Sequence, residues 1–398
     1  MVLFGNLSGN SMNFPKTGRL VWVDLFKGFA VLVMIQGHVS TMLLPAIRHS
    51  SAYAVLDFIN GIVAPSFLFT AGALFLIVMK RKLTDLLSFG PLFWRQLRRV
   101  GGIILLGYLL HLPFYSLVKT VTHSTPVDLK NFLQVDVLQC IGVSILLLLL
   151  LTLIFRKRER VVWAAAVLAG ILFFGAPFTW NYLPRLPFWL VGYFNGSAGS
   201  RFPLFPFGGF LLAGAVIGYL YDQVKEKGRE ARFVGWFVII GVVLIVIDFI
   251  LHFQLRTVYA RWHWNYYYWS APTWFFIKFG IVFILVGGFW YWERVLAPKS
   301  GAKIPTMIFA VVGAESLLAY AGHIPIVFGS VLGHGIKGLV DSSLGWGGYA
   351  LISVGVMVLT IGVCWVWHEV KKFSPRLAFW FLALFWAHLV ARFLLRPY

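Results

Sequence analysis

Two histidines, His38 and His323, each interrupt an apolar run that is otherwise continuous: VLVMIQGHVSTM around the first and SLLAYAGHIPIVF around the second. An imidazole is suited to taking and returning a proton near neutral pH, and a carboxylate that holds its second nitrogen orients it as a base. Asp57 and Asp136, which open two further apolar runs, are carboxylates of that kind. Lys27 follows Asp24 by three residues and so shares its helical face, while Glu315 and Lys278 add charge inside other apolar stretches. An ionisable residue in hydrocarbon costs at least about 2.5 kcal/mol by insertion scales, so each of these needs a partner or a function. Plainer roles exist for several of them. Asp24 and Lys27 make a local ion pair, Lys278 snorkels outward, and His111, His252 and His334 serve as interfacial structural residues. The chain carries no His-Glu-x-x-His pair, Walker loop or serine elbow. What remains is a histidine with a carboxylate neighbour, a base-orienter pattern for activating a hydroxyl or an amine.

The elements that must position these residues are membrane helices. The chain has 398 residues, of which 60% are hydrophobic and only 12% charged, with a mean hydropathy of +0.82. Soluble domains keep roughly a quarter of their residues charged. Half that fraction requires lipid as the solvent. The apolar runs are about 20 residues long, enough to span the hydrocarbon as helix, and they lack the short alternation of outer-membrane barrels. The expected fold is all-α: a polytopic bundle of about eleven helices at 20–43, 58–79, 98–118, 132–155, 161–180, 203–222, 232–253, 271–293, 305–331, 345–369 and 376–394. It forms one domain over 1–398 with a short tail at 1–18, no internal repeat and no cleaved signal peptide, the first span serving as signal anchor. At 1.5 Å per residue, His38 lies roughly 28 Å along its helix from Arg19, and His323, twenty residues beyond Lys303, reaches about the same level.

The formal charge of +20 reads as topology rather than as nucleic-acid binding. Alternate loops collect 22 of the 34 lysines and arginines, and the opposite loops collect 10. The richer set marks the cytoplasm, which places the N-terminus inside, most simply in a bacterial inner membrane. Cys140 and Cys364 both fall within apolar runs, so neither a disulfide framework nor a metal centre is expected. The outer connections at 178–203 and 257–274 are rich in Trp and Tyr and include Arg185, Arg201 and Arg261, with Arg256 just before the second. Such residues form an aromatic belt at the headgroups, or a surface for a sugar ring or an anionic glycan.

Four groups of residues, in order along the chain, resemble the transmembrane acyltransferase superfamily. Its members include bacterial O-acyltransferases of surface polysaccharides (acyltransferase-3-like) and heparan-α-glucosaminide N-acetyltransferase-like proteins. Asp24-Leu-Phe-Lys27-Gly28 followed by His38 is similar to the basic-x10-His pattern of the O-acyltransferases, with lysine where arginine is usual. Pro65-Ser-Phe67-Leu-Phe69-Thr-Ala-Gly72 is similar to a Pro-x-Phe-x-Phe-x-x-Gly motif of the N-acetyltransferase branch. Next come Asp136-Val-Leu-Gln139-Cys-Ile-Gly142 and the run from Phe202 to Gly214. Glu315-Ser316-Leu-Leu-Ala-Tyr320-Ala-Gly-His323 resembles the late histidine helix of both branches.

The resemblance implies transfer of an acyl group, usually acetyl, from cytoplasmic acetyl-CoA or another acyl-CoA to a glycan hydroxyl or amine at the outer face. It matches His38 to the essential histidine of the O-acyltransferases, Lys27 to their arginine and His323 to the late histidine. In the N-acetyltransferase branch the active histidine precedes the second span, where His49 is the nearest residue. Asp57 or Asp136 would orient an imidazole. Lys27, Asp24, Glu315 and Lys278 would line the approach of the acyl-CoA. The expected partners are membrane lipid, acyl-CoA and the glycan acceptor, with no nucleic acid. The alternative class is a transporter or flippase for a glycan or lipid-linked substrate, against which the lack of repeats and of Gly/Pro-broken helix pairs argues. Acceptor, acyl chain, O- versus N-transfer and oligomeric state stay open.

Overall fold

The computed structural model describes residues 20–80, 82–182, 186–196, 199–254, 274–330 and 333–396. The aromatic stretch at 257–273, with Arg261, lies outside the described residues, as do Arg185 and Arg256. The helix α1 (Val21–Ser40) is followed by the short α2 (Pro45–Arg48) and by α3 (Ser51–Asn60), whose N-cap Ser50 accepts from Tyr53 N. A break at Gly61 and Ile62 separates α3 from α4 (Val63–Met79), and the two make one apolar stretch that starts earlier than the expected 58. Then come α5 (Leu83–Leu87), α6 (Pro91–Leu109), α7 (Leu117–His123) and α8 (Pro126–Leu133). In α9 (Val137–Phe155) the first turn is closed by a capping box of Asp136 with Gln139, which satisfies donors that have no partner within the helix. The remaining helices are α10 (Arg158–Tyr182), α11 (Phe188–Phe194), α12 (Leu204–Glu226), α13 (Glu230–Gln254) and α14 (Trp274–Tyr291), then α15 (Lys303–Ala314) and α16 (Ser316–Phe328). A two-residue hairpin pairs Gly329–Ser330 with Gly333–His334 before α17 (Ile336–Val340), α18 (Trp346–Phe373) and α19 (Pro375–Leu395).

Among the described residues nine helices are long and apolar enough to cross a membrane, or ten if α15 and α16 are one span bent by 83°. The expectation was about eleven. The difference is α6, which carries Arg95, Arg98 and Arg99 in its first half and has only its second half apolar. The all-α bundle itself is as the composition requires. The bend between α15 and α16 differs from the expectation of unbroken helices, because no proline marks it: Glu315 sits between them, and Gly313 just before.

Two seams hold the bundle together. Along one, α4 meets α12 so closely that a Cβ on Gly72, Gly214 or Gly218 would lie inside the shell of a backbone carbonyl on the facing helix. Along the other, Gly28 of α1 abuts the Phe309 carbonyl and Gly313 of α15 abuts the Asp24 carbonyl. Close approach of this kind maximises dispersion where lipid removes the hydrophobic drive between helices. The helix ends that carry most of the basic residues are tied to one another. Arg158 donates to Asp222 at 2.9 Å and to the Leu76 carbonyl at 3.2 Å, Lys80 pairs with Asp222 and Glu226, and Arg294 pairs with Glu230 at 3.1 Å. Glu293 accepts the Trp22 N–H at 2.9 Å, capping the start of α1. At the periphery, α19 buries only Ala378 and turns its other residues outward, as a lipid-facing helix does.

Replacing Gly214 by valine should force α4 from α12 and cost about 1–3 kcal/mol or more, as overpacking does. The readout is the melting midpoint of the detergent-purified protein. A midpoint equal to that of the unmodified chain would remove the seam from its place in the packing.

Candidate functional site

α1 brings His38 to within two residues of its C-terminal end, and α16 crosses it there with His323. The Nδ1 of His38 lies 2.8 Å from the Nε2 of His323, with the rings stacked at 5.0 Å between centroids. The second nitrogen of His323, Nδ1, lies 2.7 Å from the Ala319 carbonyl, which can only accept. That nitrogen therefore carries the proton, and the Nε2 of neutral His323 is an acceptor. The hydrogen bond between the rings must then run from His38 Nδ1–H to His323, which leaves the Nε2 of His38 with a free lone pair. His323 is fully buried and His38 partly so, and the His38 ring has no further hydrogen-bond partner among the described residues. Phe328 packs edge-on against His38 and Tyr320 edge-on against His323, which fixes both ring planes.

An imidazole–carboxylate pair forms a second polar group of the site. His111, just past α6, places Nε2 3.4 Å from the Asp136 carboxylate and bonds through Nδ1 to the Gly107 carbonyl at 2.9 Å. Asp136 therefore does meet an imidazole, but it is that of His111. Asp136 also accepts the Val137 N–H at 2.7 Å. Its charge reaches both His38 and Tyr320, as does that of Arg201. The segment at Ser200–Phe202 is strapped to the start of α9 through Val135, whose N–H donates to Ser200 Oγ and whose carbonyl accepts from Arg201 N and Phe202 N.

The other expected site residues separate into three places. Lys27 pairs with Asp24 at 3.2 Å on α1. Glu315 is buried at the bend and held from α18 by His368 Nδ1 at 2.9 Å and Lys371 Nζ at 2.6 Å. Lys278 is buried among α3 and α14, donating to the Phe58 carbonyl at 3.2 Å and lying 4.2 Å from the centre of the Phe58 ring. Phe58 is one of the last four residues of α3, whose carbonyls have no partner within the helix. Asp57 is exposed on α3 and within electrostatic reach of Lys278, along with Asp248. It lies in that cluster and makes no contact with either histidine of the pair. His49 and His334 are exposed. The side chain of His252 lies outside the described residues.

Sequence reasoning missed His368, three residues before Lys371 on the last turns of α18, and the chain Tyr349–Gln36–Asn60 that links α18, α1 and α3. Their signal was a polar residue on an apolar helix, which Gln36 and His368 both give. No group of three His, Cys, Asp or Glu among the described residues is arranged to hold a metal.

A bundle of apolar helices with a histidine pair, one ring fully and one partly buried, and buried carboxylates defines a multi-pass membrane protein with an intramembrane polar site. Its family follows from sequence comparison. The profile of the heparan-alpha-glucosaminide N-acetyltransferase catalytic domain matches residues 19–253, more than half of the chain, and the protein belongs to that family of membrane acetyltransferases. The match covers His38, His111 and Asp136 and ends before Glu315 and His323. Comparison with curated proteins finds no match.

Exchanging Glu315 for glutamine keeps the shape at the bend and removes the anion that His368 and Lys371 share. A loss of about 1.5–3 kcal/mol is expected, the range for hydrogen bonds to a charged group, and it should appear as a lower melting midpoint in detergent. A further Lys371→Met exchange should recover part of it. No change in Glu315→Gln would show that the anion is dispensable at the bend.

Proposed function

We propose that the protein moves an acetyl group from acetyl-CoA, taken up at the basic end of the bundle, to a glycan hydroxyl or amine at the opposite end. The basic end faces the cytoplasm in this reading, as the excess of lysine and arginine there favours. The observation that carries it is the ordered pair of histidines, in which His323 accepts from His38 and leaves His38 Nε2 as a base. A thioester is already activated, so the protein has mainly to supply proximity and a place for one proton. The acceptor oxygen or nitrogen attacks the thioester carbon, and its proton passes to His38 Nε2. The tetrahedral adduct then collapses, the carbon–sulfur bond breaks, and the proton follows to the departing CoA thiolate. His323 holds the imidazole in place and shares the charge while His38 is protonated. Lys27, at the same end as the basic loops, would steer the phosphates of the donor as a point charge.

A second reading has an observation of its own. The bent pair α15–α16 is the kind of interrupted helix found at binding sites of transporters, so a glycan or lipid-linked substrate flippase would also use it. Binding of CoA separates the two classes, since a flippase has no use for it.

The test is binding and turnover of radiolabelled acetyl-CoA by the detergent-purified chain, with glucosamine as acceptor. Saturable binding weakened by Lys27→Ala is expected, together with turnover lowered at least about 100-fold in His38→Ala at unchanged binding and elution volume. Normal turnover in His38→Ala would remove His38 as the base. Absence of binding at millimolar acetyl-CoA would favour the flippase.

A further inference from the structure

Arg201 sits at the rim of the histidine site in a position that its own backbone fixes. Val135 N donates to Ser200 Oγ at 2.9 Å, and the Val135 carbonyl accepts from Arg201 N at 3.1 Å and Phe202 N at 3.2 Å. The side chain thus starts next to Asp136, at the end of α9 opposite Arg156, Lys157 and Arg158. It is exposed, and among the described residues its guanidinium has no hydrogen-bond or ion-pair partner. Other arginines near helix ends behave differently: Arg158 and Arg294 each hold a carboxylate within 3.1 Å. Asp136 lies within electrostatic reach of Arg201, but its close contacts are with His111 and the Val137 N–H. The charge of Arg201 acts on His38, His111, Asp136 and Tyr320.

An open guanidinium offers a planar fork of donors that fits a carboxylate, sulfate or phosphate, and at an exposed rim it also raises the encounter rate of anions. We propose that Arg201 selects an acceptor sugar carrying an anionic group and, by holding that group, turns the hydroxyl or amine of the same sugar toward His38 Nε2. This rests on the acyltransferase reading for the step that follows binding. Capture of the anion itself does not depend on it.

The experiment is equilibrium dialysis of two labelled probes, glucosamine 6-sulfate and glucosamine, against the purified full chain in nanodiscs at fixed salt. The unmodified chain should hold the sulfated sugar at least about tenfold more tightly. Arg201→Gln should erase the preference, and Arg201→Lys should keep part of it, since charge remains but the fork is lost. Acetyl-CoA binding measured on the same variants reports folding and should not change. Equal binding of the two sugars, no binding of the sulfated one at millimolar concentration, or a preference that survives Arg201→Gln would each overturn the assignment. So would a fall in acetyl-CoA affinity with the sugar preference intact, which would give the guanidinium to the donor. Acetyl transfer assayed in parallel separates the two proposals. A charge preference without transfer leaves the anion site standing and removes the acyltransferase, and transfer without a preference does the reverse.

Discussion

A polar group inside hydrocarbon has no water to fall back on, and its partner must come from the protein itself. The internal architecture of this chain follows from that constraint. The buried Lys278 closes on the unsatisfied carbonyl of Phe58 and on an aromatic face, which ties α14 to the end of α3. Glu315 is met by the imidazole of His368 and the ammonium of Lys371 from α18, and this occurs where the chain bends by 83°. His323 spends one nitrogen on its own helix and the other on His38. Each requirement is local, but its satisfaction joins helices that are far apart in sequence.

Close packing makes these unions geometrically available. The carbonyls of Asp24 and Phe309 can face Gly313 and Gly28 only because neither glycine has a side chain, so α1 and α15 run at near-backbone contact. From that contact the chain passes through Glu315 into α16 and reaches the end of α1, where His38 waits. The bend and the glycine seam therefore act together. The seam sets where α15 lies, and the Glu315 anchor to α18 sets the direction in which α16 leaves it.

The fold class was legible in composition and run length, because solvation by lipid leaves a strong mark on both. The number of crossings was less so, since α6 puts three arginines into a helix of spanning length and resembles both a span and an interfacial element. His38 and His323 could be matched by counting rise from basic residues. That count treated 305–331 as one straight helix, whereas the bend at Glu315 has no proline to announce it. Partners were the least legible part. Asp57 and Asp136 looked equally suited to orient an imidazole, yet the first lies with Lys278 and the second with His111. Which helix faces which is decided by side-chain fit at seams such as Gly72 on Leu211, and a single sequence does not carry that information in its periodicity.

The identity of the partner at His38 matters for the chemistry a membrane site can perform. A carboxylate beside the base would stabilise an imidazolium strongly, but it would also leave a bare anion in low dielectric whenever the base is neutral. A neutral imidazole in that place costs little at rest, because His38 and His323 are then two uncharged rings sharing one hydrogen bond. In the proposed reaction a proton taken by His38 would be shared across that bond and lie in the field of Asp136, whose close contacts are with His111 and the start of α9. The anion thus assists without being buried against the base. Under the proposed mechanism this division of labour, a neutral ring for orientation and a more distant carboxylate for charge, would let a proton-accepting site exist in a helix that must also insert into the bilayer.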